Sequence, residues 1–282
     1  MGTALQPGRT IAELKELRTL TADENGAQRV AFTPVWTAAR AWLLRKLADL
    51  LLETHTDAAG NFWATLAGAS PRALLLGGHL DSVPNGGWLD GCLNVLAGVE
   101  VLRRLHDQHG GRPPVTIRLV DWADEEGARF GKSLFGSSAC SGNLDLDEAR
   151  RLVDRDGVRL PDALRNVGVD FERVKESGVE LKSAAAYLEL HIEQGPVLLD
   201  LDLPLGAVLG TFGVERHAID AVRVSKRSPP DAAGVHRSTA SATAMRSPSQ
   251  RVSSTPDTAT YAPSSMRSLA APACQRSHPV AQ

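Results

Sequence analysis

Cysteine, methionine and tyrosine are scarce in this chain, with three Cys, three Met and two Tyr among 282 residues. Cys92, Cys140 and Cys274 show no CxxC spacing and are too few for a disulfide framework, so a reducing cytoplasm is the expected compartment. No apolar run approaches the ~20 residues of a membrane helix, and the first twenty residues lack the apolar core of a signal peptide. Gln6 stands where N-myristoylation needs Ser or Thr. A net charge of −2 offers no basic surface, so neither nucleic acid nor a membrane is the expected partner. HExxH and GxSxG are absent, and "GARFGKS" at 127–133 falls one residue short of a phosphate-binding loop.

What remains is an ordinary globular composition, 43% hydrophobic and 23% charged, with a break near Arg216. Of the 66 residues from 217 to 282, 44 are Ser, Ala, Pro, Arg or Thr; the stretch holds one of the 25 glycines and no glutamate. A partial catalytic domain is expected over 1–216 and a low-complexity, disordered tail over 217–282. A shifted reading frame would leave the same composition.

Before that break, amphipathic spacing predicts helices over Thr10–Leu20, 34–52 and Gly91–Leu105. A "DAAGN" turn joins two short strand-like runs, and Ala73–Leu76 ("ALLL") and 115–121 ("VTIRLVD") read as buried strands. The stretch 185–195, "AAYLELHIEQG", repeats the pattern of an apolar run ending in a polar loop. Strands alternating with helices predict an α/β fold with a mostly parallel sheet flanked by helices, in which ligands gather at the carboxyl ends of the strands.

Three such ends carry chemistry: "GGHLDSVPNGGWLDG" with His79, Asp81 and Asp90, "ADEEG" with Glu125 and Glu126, and "LELHIEQG" with His191. Taken singly, each has an ordinary reading as a hydrogen-bonded histidine or a solvated turn. Their joint placement points to a divalent-metal site, because imidazole nitrogen and carboxylate oxygen are the donors such ions take. Asp90, with two oxygens, is able to face two ions ~3.5–4 Å apart. Asp81 is placed to orient the His79 ring, and of two adjacent acids one is free to act as a base.

These residues resemble the metal-dependent N-carbamoyl-L-amino-acid hydrolases and allantoate amidohydrolases, relatives of the zinc aminoacylases and carboxypeptidases. "GGHLDSVPNGGWLDG", "ADEEGARFG" followed by "GSSACSG", "YLELHIEQGPVL" and "DENGAQRVAFTPVW" carry the likeness over roughly residues 12–216. The resemblance implies the N-terminal part of a di-metal exopeptidase-like catalytic domain. His79, Asp90 and His191 would hold one ion and Asp90 and Glu126 a second, the metals being zinc, or manganese, cobalt or nickel. Glu125 would be the catalytic base, with Asp81 orienting His79 and Gln194 near the substrate. The implied substrate is an N-carbamoyl amino acid or a ureido compound, hydrolysed at a linear C–N bond with release of ammonia and carbon dioxide. Two departures stand out. Asn94 replaces the glycine usual in the family, so packing there is expected to differ. After "GTFGVER" the family continues into a lid and dimerisation domain and the last ligand of the second metal, which 217–282 does not match. The second site is therefore expected to be incomplete and the family's homodimer contact missing, with an inactive fragment as the rival reading.

Overall fold

Helix starts follow local chemistry. The computed structural model describes residues 4–208; the expected tail at 217–282 lies outside the described residues. Pro7 opens α1 (Pro7–Thr21), and a two-rung hairpin, β1 (Ala22–Asp23) with β2 (Gly26–Ala27), leads on to α2 (Pro34–Leu47). At its start Thr33 accepts the Trp36 N–H, and Pro34 occupies the first turn, where a missing N–H costs nothing. The helix stops at Leu47 rather than at 52. Leu51 beyond it is 86% exposed, so no burial extends the last turn.

The "DAAGN" turn joins β3 (Glu53–Thr56) to β4 (Phe62–Leu66). In it Asp57 Oδ1 accepts the N–H groups of Ala59 (2.9 Å) and Asn61 (3.0 Å). Then come β5 (Ser70–His79), α3 (Cys92–Gln108) and β6 (Val115–Trp122), a strand–helix–parallel strand unit. Short helices α4 (Phe135–Ser141), α5 (Leu146–Arg151) and α6 (Leu160–Asn166) and a 3₁₀ run over Phe171–Leu181 precede β7 (Ala184–Leu188) and the single turn α7 (Val197–Asp200).

The sheet order is β3-β4-β6-β5-β7. β5 pairs parallel to both β6 and β7, while β4 is antiparallel to β3 and β6. Only β4 therefore runs against the other strands of this sheet, and the expected α/β class with a mostly parallel sheet is what the described residues form. Period-two alternation divides the faces. Phe62, Ala64, Leu66, Leu76, Ile117 and Leu119 pack under α1, α2 and α3, whereas Trp63, Leu75, Val120 and Trp122 meet Cys140 of α4 on the opposite side. Trp63 and Trp122 pack edge-to-face at 5.6 Å. No described helix is long and apolar enough to cross a membrane. β5, β6 and β7 all point their carboxyl ends the same way, which brings His79, the 123–126 loop and the segment leading to His191 to one edge.

Candidate metal centre

His79 is the last residue of β5 and only 2% exposed. Its Nδ1 lies 3.0 Å from the Asp81 carbonyl oxygen, which can only accept, so Nδ1 carries a proton and Nε2 is the nitrogen turned toward a ligand. Nε2 faces Glu125 Oε2 at 3.4 Å. The Asp81 carboxylate, 1% exposed, is 3.6 Å from Nδ1, and it accepts the backbone N–H groups of Glu125 (3.3 Å) and Glu126 (3.1 Å). One acid thus ties the end of β5 to the loop after β6.

Asp90 closes the loop that follows. Gly91, at φ 65, turns the chain into α3 directly over His79, the kind of backbone geometry that favours glycine. His79, Asp90 and Glu126 each offer a ligand atom, and the three atoms lie within 4.8 Å of one another. Asp90 Oδ1 is buried and has no hydrogen-bond partner. An orphaned carboxylate oxygen among an imidazole and a second carboxylate fits a divalent metal ion. His191 stands beside this group rather than inside it, 43% exposed, with Nε2 3.5 Å from Asp90 Oδ1. Gln194 donates from Nε2 to Asp90 Oδ2 at 2.5 Å.

The electrostatics are those of crowded acids around one histidine. Burial opposes charge on His79, but Asp81 and Glu125 outweigh it and push the ring up to about 10. Burial raises Glu125 and Glu126, with His79 opposing the shift and neighbouring carboxylates adding to it. A site of this sign attracts cations, and a divalent ion would replace the proton that the imidazole otherwise keeps.

Several contributors escaped the sequence reading. Asn94 is buried and donates from Nδ2 to Glu189 Oε1 at 2.8 Å, while the other Glu189 oxygen accepts the Tyr187 hydroxyl at 2.7 Å. The departure at Asn94 therefore adds a link between α3 and the segment leading to His191. It also fills space over Gly78, where an added Cβ would fall 2.4 Å from the Asn94 Cβ. The spacing of Glu189 two residues before His191 was the available signal. Asp124, 1% exposed, sits in the same loop with one carboxylate oxygen unpaired.

An α/β sheet with imidazole and carboxylate donors gathered beside parallel strand ends is an arrangement able to hold a divalent ion. The model of Peptidase family M20/M25/M40 matches residues 75–279, and the chain belongs to this family. It is 40% identical over 191 residues to the N-carbamoyl-L-amino acid amidohydrolase of Geobacillus stearothermophilus, covering 67% of this chain and 46% of that protein. It is 32% identical over 198 residues to the allantoate amidohydrolase of Bacillus subtilis, covering 70% and 47%. Among solved structures, a hydantoinase/carbamoylase family amidase from Burkholderia ambifaria superposes with a TM-score of 0.61 at 33% identity, over 70% of this chain and 48% of that one. The chain spans about half the length of the relatives it matches.

Proposed function

We propose that the chain carries the first half of a metal-dependent amidohydrolase acting on linear carbamoyl or ureido C–N bonds, with N-carbamoyl-L-amino acids as the first candidate substrates. The observation that carries this reading is the His79–Asp90–Glu126 donor group with Glu125 beside it, at the ends of parallel strands. In this assignment His79, Asp90 and His191 would hold one divalent ion, and Asp90 with Glu126 would offer two ligands to a second. Bound ions supply Lewis acidity toward a carbonyl and lower the pKa of water toward ~7. Glu125 is half-buried and its carboxyl is held above the usual range, which suits a group that takes a proton from water and returns it to the leaving nitrogen. Asp81 keeps the His79 ring and the Glu125–Glu126 backbone in place, and Gln194 orients Asp90 at the substrate side.

The likeness to an allantoate amidohydrolase supports the same chemistry on a ureido substrate, and a chain that binds metal without turnover is the rival reading. One experiment separates these readings. The purified 282-residue chain is titrated with zinc, and ammonia release is followed from N-carbamoyl amino acids and from allantoate, for wild type and Glu125→Gln. Turnover lost in Glu125→Gln with zinc retained supports the hydrolase and identifies its substrate. Zinc bound without turnover supports the inactive reading, and no zinc at saturation sinks the site.

A further inference from the structure

We propose that Arg29 and Asp121 are positioning residues that fix the two peptide links on either side of Leu80, and thereby set His79 and Asp81 in metal-binding geometry. The proposal rests on the metal-centre reading above. Arg29 lies in "DENGAQRVAFTPVW", a motif that the site itself leaves unexplained.

The last paired residue of β5 is His79, opposite Trp122, so the sheet ladder gives out where the ligand stands. Beyond it, side chains take over the backbone hydrogen bonds. Asp121, fully buried on β6, accepts the Leu80 N–H on Oδ1 at 2.7 Å. Arg29, also fully buried, donates from Nε to the Leu80 carbonyl at 2.7 Å. The first of these atoms belongs to the peptide joining His79 to Leu80, the second to the peptide joining Leu80 to Asp81. A buried anion holds one link and a buried cation the other. Arg29 reaches past Asp81 as well, because its backbone N–H donates to Ser82 Oγ (3.1 Å) and its carbonyl accepts the Ser82 N–H (3.0 Å).

Stability alone does not account for this arrangement. Arg40 neutralises Asp121 through a 2.7 Å contact, but among the described residues no carboxylate pairs with Arg29, and its Nη2 has no hydrogen-bond partner. A buried cation without a carboxylate is a net cost to folding. Charge-assisted hydrogen bonds are short and stiff, and stiffness is what a ligand at the end of a sheet ladder needs.

The test compares zinc affinity, by chelator competition, with the unfolding midpoint of the metal-free chain. The variants are Arg29→Met, the double replacement Arg40→Met/Asp121→Leu and the control Arg103→Met. The double replacement removes a buried ion pair as a unit, a change that folds commonly tolerate, while leaving the Leu80 N–H without its acceptor. Arg103, in the C-terminal third of α3, pairs with Glu13 of α1 at 2.8 Å. Arg29→Met and the double variant are expected to weaken zinc binding about 10–100-fold, the usual scale for removing a ligand's supporting contact, whereas Arg103→Met changes only the midpoint. Zinc affinity within twofold of wild type in either of the first two variants, or an equal loss in Arg103→Met, overturns the proposal. Should Arg29→Met fail to fold, the double variant decides the question alone. Absence of zinc binding in the wild-type chain would instead overturn the metal-centre reading.

Discussion

Replacing Gly91 by alanine should cost the protein metal affinity as well as stability, in a proportion that two other glycines can calibrate. Gly91 has φ +65, and a Cβ built there would lie 2.3 Å from the His79 carbonyl oxygen and 2.5 Å from the ring atoms Cε1 and Nδ1. The left-handed backbone alone costs an L-residue about 1–2 kcal/mol, and forcing a methyl group into a filled site adds about 1–3 kcal/mol. The sum, about 2–5 kcal/mol, corresponds to a fall of about 4–20 °C in Tm for a domain of this size. Gly110 has φ +56 with nothing within 4 Å, so Gly110→Ala should show the backbone cost and nothing more. Gly87 meets nothing within 4 Å and lacks the positive φ, which makes Gly87→Ala the blank. Because the clash falls on His79 itself, Gly91→Ala is expected to lose zinc affinity about tenfold or more, while the other two bind as wild type does. Melting curves with and without zinc, joined to chelator competition, read both quantities. If Gly91→Ala melted with Gly110→Ala and bound zinc normally, the loop that brings Asp90 back over His79 would be wrongly placed.

Burial, with the charge on Asp81, holds the Asp124 carboxyl well above its usual 3.8, against the pull of Arg129. A raised acid contributes its full stability below the unfolded value and loses it as pH rises through the folded value. The Asp124 contribution should therefore fall as pH rises above 3.8, so the difference in melting temperature between wild type and Asp124→Asn should change with pH; a pH-independent difference in chelator-treated melts would reject the assignment. Leu96, fully buried in α3 against the sheet, should cost about 2–5 kcal/mol on replacement by alanine in urea unfolding. A loss below about 1 kcal/mol would mean that this face packs loosely.

Strands β5 and β6 were legible because their carboxyl-terminal stretches are buried. "VTIRLVD" read as a buried run and matches β6 to within one residue, whereas "ALLL" is only the middle of β5, which extends three residues further at each end. Helix α3 was legible from its apolar spacing, and the DAAGN turn from its Asp and Gly. The region from Phe135 to Leu181 was not. Its helices are six or seven residues long and its 3₁₀ run breaks the 3.6 period, so no window holds enough repeats to register. Within the site, His79, Asp90 and Glu126 could be picked out because they are ligand types at strand ends. Arg29 and Asp121 could not, since each acts through a backbone atom of Leu80, and a hydrogen bond to a peptide leaves no mark on the sequence of the residue that receives it.

The strand order has a temporal consequence. His79 and Asp90 are neighbours along the chain, but Glu126 reaches them only after β6 has crossed α3 and paired with β5, and His191 only after β7 has added to the other side of β5. Such distant pairings pay their loop-closure entropy before any contact rewards it, which makes them slow to form. β7 is exposed along its whole length and pairs with β5 alone among the described residues, so it is the strand most easily shed. On the proposed assignment the candidate ligands would come together in an order written by topology, with His191 seated last and released first. Occupancy of a complete centre would serve as a clock on the assembly of the sheet.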